Sequence, residues 1–339
     1  MADKRLQALP TYGNNLLGEL PSAVFDDLVV LAAPEPWEML EADWPNPPNA
    51  VATRIDMELS LLEMQLDALP RCEWVLGLGG GTALDAAKMY AWRTGAKLVL
   101  APSILSVDAA FTKAVGVRVG HRVRYVGEVL PEHLLVDFDL LRRAPAKLNR
   151  AGIGDILSIF TALNDWQLAH EKLGERFDPA IAAESKSLLE SLWTRAVDIR
   201  EGDEVGLKLL SELFVAEVRL CEIFGNSRPE EGSEHYFAYC LESLTHGRYV
   251  HGELVALAVL LTGLHQGQDV APVIRMLDEI GVEYRPGQVG VTRDEIRRTL
   301  LALPEYIAEE TQLLYGVYHD KGMNAATADE LIEKFEALL

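Results

Sequence analysis

The chain has 339 residues, of which 49% are hydrophobic and 24% are charged, and its formal net charge at pH 7 is −21. This length allows a large core and predicts two domains, and the acidic balance argues against a nucleic-acid partner, whose phosphates would be repelled. No apolar run approaches the roughly 18 residues of a membrane-spanning helix, and no signal-peptide pattern is present. The three cysteines (Cys72, Cys221 and Cys240) are widely spaced, so we expect free thiols in a reducing cytoplasm.

Short strand patterns alternate with helical patterns in the first part of the chain. Residues 58–69 and 82–91 have helical periodicity, and residues 115–119 and 122–126 flank a Gly-X turn that is typical of a β-hairpin. Alternation of this kind predicts a parallel, nucleotide-binding sheet with helices on both faces. The predicted strands of this sheet are residues 28–32, 50–55, 74–76, 97–101 and 133–136.

The pattern changes after about Pro145, where the chain becomes almost continuously helical and strand-like runs are scarce. The fold class that we predict is therefore an α/β domain over residues 1–145 followed by an all-α domain over residues 146–339. A cleft between two such domains is the default position for a ligand site.

The most informative segment is an apolar run, Trp74 to Leu78, that leads into three glycines and then a helical pattern. Glycines at such a junction let the backbone approach a ligand closely, and the first helical turn offers free N–H groups to a phosphate. A dinucleotide fingerprint needs Gly or Ala where this chain has Thr82, and a P-loop needs Gly-Lys-Ser/Thr at its end. The segment thus predicts a nucleotide site of a less common type.

Three segments of the helical part carry residues of the kind that bind metals. Asp155 ends a Gly-Ile-Gly-Asp run, His235 follows a glycine-rich loop, and His251 begins a His-Gly-Glu run. One carboxylate and two imidazoles suit Zn²⁺ or Fe²⁺, and three ligands leave a position open for a substrate. From the residues alone, two alternatives remain: histidines that are buried and satisfied by a hydrogen bond, and an aspartate that caps its helix.

Residues 77–88, GLGGGTALDAAK, resemble the GxGGGSxxDxAK signature of the metal-dependent alcohol dehydrogenase and dehydroquinate synthase-like superfamily. Further segments resemble, in the same order, motifs of its glycerol-1-phosphate dehydrogenase branch. These segments are PSILSVD at 102–108, RAGIGD at 150–155, DWQL at 165–168, SRP at 227–229, GSEH at 232–235 and HGE at 251–253. The resemblance covers roughly residues 75–260 and implies a dehydroquinate synthase-like fold.

The resemblance also implies an NAD(P)-dependent, metal-assisted dehydrogenase that interconverts dihydroxyacetone phosphate and sn-glycerol 1-phosphate. Ser103 and Ser106 would line the adenine and ribose side of the cofactor, and Thr112 would lie near the nicotinamide. The residues implied to bind the cofactor pyrophosphate are Gly79, Gly80, Gly81, Thr82 and Ala83.

For the substrate and metal, the resemblance implies that Asp108 contacts the substrate and that Asp155 both binds the metal and orients a substrate hydroxyl. His235 and His251 would be the other ligands of one divalent metal, with Zn²⁺ expected first and Fe²⁺ or Ni²⁺ as alternatives. Tyr239 stands where related dehydrogenases carry a second histidine that faces the substrate. A tyrosine there can donate a hydrogen bond but does not become charged near neutral pH.

Several alternatives stay open at this stage. The acidic residue expected after the first strand, which would hold a cofactor ribose, is missing, and Glu35 is the nearest candidate, so NAD and NADP are not distinguished. Another polyol or alcohol dehydrogenase, a dehydroquinate synthase-like cyclase and a non-catalytic nucleotide-binding protein are the alternative functions. The expected partner is a small polyol or polyol phosphate, and a homo-oligomer is neither predicted nor excluded.

Overall fold

A computed structural model describes residues 9–339, and contacts divide the chain into two compact units. The first unit contains the described part of Met1–Asn149 together with Gly202–Val215. The second contains Arg150–Glu201 and Ala216–Leu339. The sequence pattern of residues 202–215 is helical, like that of the residues on either side. It therefore did not indicate that this segment packs with the first unit.

The first unit is built on a six-stranded parallel sheet and an antiparallel hairpin, as the alternating pattern predicted. The strands are β1 (Thr11–Gly13), β2 (Leu28–Ala32), β3 (Ala50–Ala52), β4 (Trp74–Gly79), β5 (Lys97–Pro102), β6 (Ala114–Val119), β7 (Arg122–Glu128) and β8 (His133–Asp137). The order across the sheet is β1-β8-β5-β4-β2-β3, and β6 pairs with β7 to form the hairpin.

Helices cover both faces of the sheet. On one face, the strand residues Val30, Leu76 and Val99 belong to an apolar cluster that includes Phe25 and Trp37 from helices. On the other face, Gly77 lies against a helix, and a Cβ added to it would be 2.8 Å from the Cβ of Ala87. The helices that begin before residue 150 are α1 (Ser22–Asp26), α2 (Pro34–Leu40), α3 (Leu59–Asp67), α4 (Gly81–Thr94), α5 (Phe138–Arg143) and α6 (Ala146–Arg150).

Two strands differ from the sequence pattern for local reasons. β1 has three residues and pairs with β8 at the edge of the sheet, and a run this short has no readable alternation. β3 ends at Ala52, three residues before the end of the predicted run 50–55, and the backbone beyond it hydrogen-bonds to a side chain. Gln65 in α3 donates to the carbonyl of Arg54 (3.0 Å) and accepts from the N–H of Asp56 (3.0 Å).

The second unit is helical, and no β-strand occurs among the described residues after β8, which confirms the predicted all-α character. The helix that begins at His251 is buried on all sides over residues 252–263, where only Glu253 and Thr262 are polar. The helices that begin after residue 150 are α7 (Ile153–Leu173), α8 (Pro179–Glu201), α9 (Glu204–Phe224), α10 (Ser233–Thr245), α11 (His251–Gln266), α12 (Ala271–Ile280), α13 (Pro286–Val289), α14 (Arg293–Glu309), α15 (Val317–Asp320) and α16 (Ala325–Glu336). Of these, α9 belongs to the first unit as far as Val215. Within residues 9–339, no helix combines the length and apolar character that crossing a membrane requires.

Candidate functional site

The glycine turn joins β4 directly to α4. Gly79 has a φ of +148°, a conformation that side chains rarely adopt, and an added Cβ would lie 3.0 Å from the Cβ atoms of Ala33 and Ala83. At Gly80, an added Cβ would lie 2.9 Å from the Cδ1 atom of Ile104. The turn therefore needs glycine for its own backbone and for the close approach of its neighbours. It also places the first turn of α4, including the exposed Thr82, at the carboxyl end of the sheet.

The segment after β5 runs beside this turn. Gly79 and Pro102 are partners in the parallel register of β4 and β5, and the N–H of Ser103 donates to the Gly79 carbonyl at 2.9 Å. Ser103 and Ser106 are buried, and Asp108 starts a 3₁₀ turn whose first carbonyl accepts from the N–H of Thr112 at 3.3 Å. The predicted cofactor residues and Asp108 thus follow two neighbouring strand ends in the first unit.

Lys88 anchors α4 to the segment that carries Thr112. Its side chain is fully buried, and Nζ lies 2.7 Å from Asp85 Oδ1 and 2.6 Å from the carbonyl of Ala114. Nζ also lies 3.5 Å from the carbonyl of Thr112. A buried ammonium is stable only when it is paired and hydrogen-bonded, and these three oxygens meet that need. The last residue of the glycine signature therefore has a positioning role.

In the second unit, the structure brings Asp155, His235 and His251 together. One ligand atom from each lies within 4.8 Å of the others. Asp155 Oδ1 is 3.5 Å from His251 Nε2, and the centroids of the two imidazoles are 5.4 Å apart. Asp155 and His235 are buried, whereas the His251 side chain is 21% exposed. A carboxylate and two imidazoles within this distance are a donor set that suits a divalent metal.

Two glycines allow the starts of α7 and α11 to touch at this cluster. Gly154 precedes Asp155, and Gly252 follows His251. A Cβ added to Gly154 would overlap the carbonyl oxygen of Gly252 and would lie 2.6 Å from its carbonyl carbon. Because the atoms in the way belong to the backbone of Gly252, no side-chain rotation makes room for the added Cβ. The separation of Asp155 and His251 therefore depends on the absence of a side chain at residue 154.

Glu234 orients His235. The Nδ1 atom of His235 is 2.9 Å from Glu234 Oε1, which leaves Nε2 as the nitrogen available to a metal. Glu234 is fully buried and is itself held by the N–H of Gly232 at 2.6 Å and the hydroxyl of Thr161 at 2.6 Å. A carboxylate behind a metal-binding histidine selects its tautomer and increases its basicity. The adjacent Glu and His in the sequence were the only signal of this pair, and nothing in the sequence indicated Thr161.

The charges around His235 favour a cation at this position. Burial by itself lowers the pKa of His235, but the hydrogen bond with Glu234 and the charges of Glu231, Glu234 and Asp155 raise it to about 9. A divalent metal held by His235 would take the place of the imidazole proton and would keep the attraction to these carboxylates. The cluster therefore fits a divalent metal by ligand type, by distance and by charge.

A buried aspartate in α7 positions the first turn of α10. Asp165 accepts from the N–H of Ser233 at 2.7 Å, from the N–H of Val317 at 2.8 Å and from the Gln266 side chain at 2.9 Å. Burial raises the pKa of Asp165 to about 6 despite these hydrogen bonds. Because Ser233 lies two residues before His235, Asp165 helps to fix the backbone that presents this histidine.

Tyr239 lies one helical turn after His235 and is buried. The centroid of its ring is 5.7 Å from that of His235, and the ring stacks on His251 at 6.4 Å with an interplanar angle of 21°. The structure thus places Tyr239 against both imidazoles of the cluster, as its spacing from His235 indicated.

Replacement of Glu234 by glutamine is expected to weaken zinc binding about 10- to 100-fold, because the neutral amide no longer increases the basicity of His235. Competition with a chromogenic chelator measures the affinity. Glu231→Gln is the matched control, since Glu231 acts on His235 through its charge and not through the hydrogen bond. Equal affinities for the Glu234→Gln and wild-type proteins would contradict the orienting role.

Comparison with known proteins relates the chain to a family and a fold. The sequence model of the iron-containing alcohol dehydrogenases matches residues 45–145. A glycerol-1-phosphate dehydrogenase, NAD(P)+, from Hyperthermus butylicus is 32% identical over 261 residues, which are 76% of this chain and 72% of that protein. A protein of the same name from Aeropyrum pernix is 29% identical over 265 residues, which are 78% of this chain and 74% of that protein.

Solved structures show the same fold at lower identity. A probable glycerol dehydrogenase from Sinorhizobium meliloti 1021 superposes with a TM-score of 0.73 at 20% identity and covers 96% of this chain and 95% of its own. The glycerol dehydrogenase from Schizosaccharomyces pombe gives a TM-score of 0.70 at 16% identity, with 97% and 88% covered. Both confirm the predicted architecture of a parallel sheet followed by a helical region.

Proposed function

This chain belongs to the iron-containing alcohol dehydrogenase family, and we propose that it is an NAD(P)-dependent, metal-assisted glycerol-1-phosphate dehydrogenase. The reaction is the interconversion of dihydroxyacetone phosphate and sn-glycerol 1-phosphate. The observation that carries the proposal is the cluster of Asp155, His235 and His251, whose ligand atoms lie within 4.8 Å of one another. The relatives named glycerol-1-phosphate dehydrogenase support this branch over other members of the family.

The first unit would hold the cofactor. We assign its pyrophosphate to the glycine turn, where the first turn of α4 offers N–H groups and the three glycines have no side chains of their own. The family resemblance assigns Ser103 and Ser106 to the adenine and ribose side and Thr112 to the nicotinamide side. All three residues follow β5, the strand paired with β4. In this assignment Lys88 acts through the backbone of Thr112.

The second unit would hold the metal through Asp155, His235 and His251. When bound, the metal supplies Lewis acidity towards the substrate oxygen, and the nicotinamide supplies or accepts the hydride. Glu234 keeps His235 Nδ1 engaged, so that Nε2 would be the nitrogen available to the metal. Zn²⁺ is the metal that we assign first, because a mixed carboxylate and imidazole set without thiolates is common in its catalytic sites.

Three side chains are assigned to the substrate. Asp155 orients the reacting hydroxyl in addition to binding the metal, and Asp108 contacts the remaining polar groups. Tyr239 donates a hydrogen bond from its phenol oxygen, since a phenol remains neutral near pH 7 and carries no charge to offer a phosphate. A histidine at this position can carry a positive charge, whereas Tyr239 offers an anionic substrate only a neutral hydrogen bond.

A substrate panel tests the proposed function. The full chain, loaded with zinc, is supplied with NADH or NADPH and with dihydroxyacetone phosphate, dihydroxyacetone or a simple aldehyde, and cofactor oxidation is followed optically. We expect the highest kcat/KM with dihydroxyacetone phosphate. We also expect a product that sn-glycerol-3-phosphate dehydrogenase does not oxidise, because the stereochemistry is opposite.

Each other outcome of the panel points elsewhere. Preference for dihydroxyacetone or an aldehyde would identify another alcohol or polyol dehydrogenase of the family. Absence of turnover, with zinc and nicotinamide cofactor both shown to be bound, would support a protein that binds nucleotide without catalysis. Both results contradict the proposed function.

A further inference from the structure

The glycine turn between β4 and α4, to which we assign the cofactor, lies against the end of β2. The N–H of Ala33 donates to the carbonyl of Leu78 at 2.8 Å, and a Cβ added to Gly79 would lie 3.0 Å from the Cβ of Ala33. In dinucleotide-binding folds, the residue after this kind of strand decides how the adenosine ribose is held. An acidic residue there binds a free 2′-hydroxyl and repels a 2′-phosphate, but residues 31–34 of this chain are Leu-Ala-Ala-Pro.

An arginine stands at the neighbouring strand end. β3 pairs with β2 in parallel, with Leu31 opposite Ala52, and Arg54 follows Ala52 by two residues. Leu31, Ala52 and Arg54 line one cavity of about 240 Å³. Arg54 is exposed, and no carboxylate within residues 9–339 forms an ion pair with its guanidinium. An arginine without a partner is thus present beside the strand end that lacks the acidic residue.

The backbone around Arg54 is ordered, and the nearest carboxylates in sequence are engaged elsewhere. Gln65 holds the Arg54 carbonyl at 3.0 Å. Asp56 accepts from the N–H of Glu58 at 2.9 Å, and Glu58 accepts from the N–H groups of Gly120 at 2.8 Å and His121 at 3.1 Å. These contacts direct the two carboxylates to their own turn and to the β6–β7 hairpin.

We propose that Arg54 binds the 2′-phosphate of NADP(H) and gives this chain a preference for NADP(H) over NAD(H). The proposal rests on the proposed function, since it concerns the cofactor of that reaction. A guanidinium forms paired, charge-assisted hydrogen bonds with a phosphate, and the 2′-hydroxyl of NAD(H) offers no charge to it. Glu35, in the first turn of α2, is the group that would support the opposite preference.

Binding of cofactor fragments to the full chain tests the proposal without turnover. Calorimetry compares 2′,5′-ADP with 5′-AMP, which differ only in the 2′-phosphate. We expect the wild-type protein to bind 2′,5′-ADP about tenfold more tightly or better, and Arg54→Gln to remove most of that ratio. The matched control is Arg71→Gln, because Arg71 is also exposed but precedes β4, at the opposite end of the strands. It should retain the wild-type ratio.

Steady-state kinetics with NADPH and NADH complete the test. The ratio of kcat/KM values for the two cofactors should fall about tenfold in Arg54→Gln and should not fall in Glu35→Gln. Equal binding of the two fragments by the wild-type protein overturns the proposal, as does an unchanged ratio in Arg54→Gln. In either case turnover with NADH would still uphold the proposed function, whereas failure of both cofactors to bind would refute that function itself.

Discussion

The His251→Ala protein is expected to lose stoichiometric zinc and to reduce dihydroxyacetone phosphate at least about 1000-fold more slowly than the wild-type protein. Removal of one of three ligands leaves too few donors for a stable site, and a Lewis acid contributes several kcal/mol to stabilising developing charge. His235→Ala and Asp155→Ala should have the same effect on metal content and activity. Metal analysis of the purified proteins and initial rates with NADPH measure both effects.

His251 is the most informative of the three positions because it is partly exposed. Its replacement should leave the metal-free fold intact, which thermal unfolding in the presence of a chelator checks. His170→Gln is the matched control, since His170 is an exposed histidine of the second unit outside the cluster. In the wild-type and control proteins, a chelator should abolish activity and added zinc should restore it. The assignment fails if all three ligand variants retain bound metal and full reductase activity.

The Gly154→Ala protein is expected to lose about 3 kcal/mol or more of its free energy of unfolding and most of its zinc affinity. The added methyl group would overlap the Gly252 carbonyl, so the starts of α7 and α11 must move apart. Asp155 and His251 lie beside these two glycines and would separate with them. One methylene-sized change outside the ligand set should therefore damage both stability and metal binding.

Urea unfolding and chelator competition measure the two effects of this substitution. Gly287→Ala is the matched control, because Gly287 also lies in a helix and an added Cβ would meet nothing within 4 Å. It should be within about 0.5 kcal/mol of the wild-type stability. If Gly154→Ala kept the stability and the zinc affinity of the wild-type protein, the two helices would be shown to accommodate the methyl group. That result would contradict the expected overlap with the Gly252 carbonyl.

The strands of the first unit were readable because their signal is local. Each of β2, β4 and β5 is a short, mostly apolar and buried run bounded by turn-forming or polar residues. A run of this kind indicates a strand without reference to the rest of the chain. The end of β3 was not predictable from the sequence. The backbone of Arg54 and Asp56 hydrogen-bonds to the side chain of Gln65 in the following helix, and no local pattern indicates this contact. A strand of three residues, such as β1, is too short to show a sequence pattern, and its conformation depends on pairing with β8.

The residues of the candidate metal site were identifiable by type, but their arrangement was not. Sequence motifs indicated Asp155, His235 and His251, and the adjacency of Glu234 to His235 offered a weak further signal. The hydrogen bond from Thr161 to Glu234 joins residues on two helices, and no periodicity within either helix indicates it. The same holds for Asp165, whose partners come from three separate segments.

By itself, the amino-acid sequence determined the glycine turn between β4 and α4, since strand, turn and helix are consecutive there and only glycine tolerates the φ of Gly79. It also determined the change from alternating to helical architecture. Tertiary structure alone decided that Asp155 and His251 meet, because their distance depends on the contact between Gly154 and Gly252 from two different helices. It alone placed an unpaired Arg54 beside the end of β2, since only pairing of β2 with β3 makes those segments neighbours.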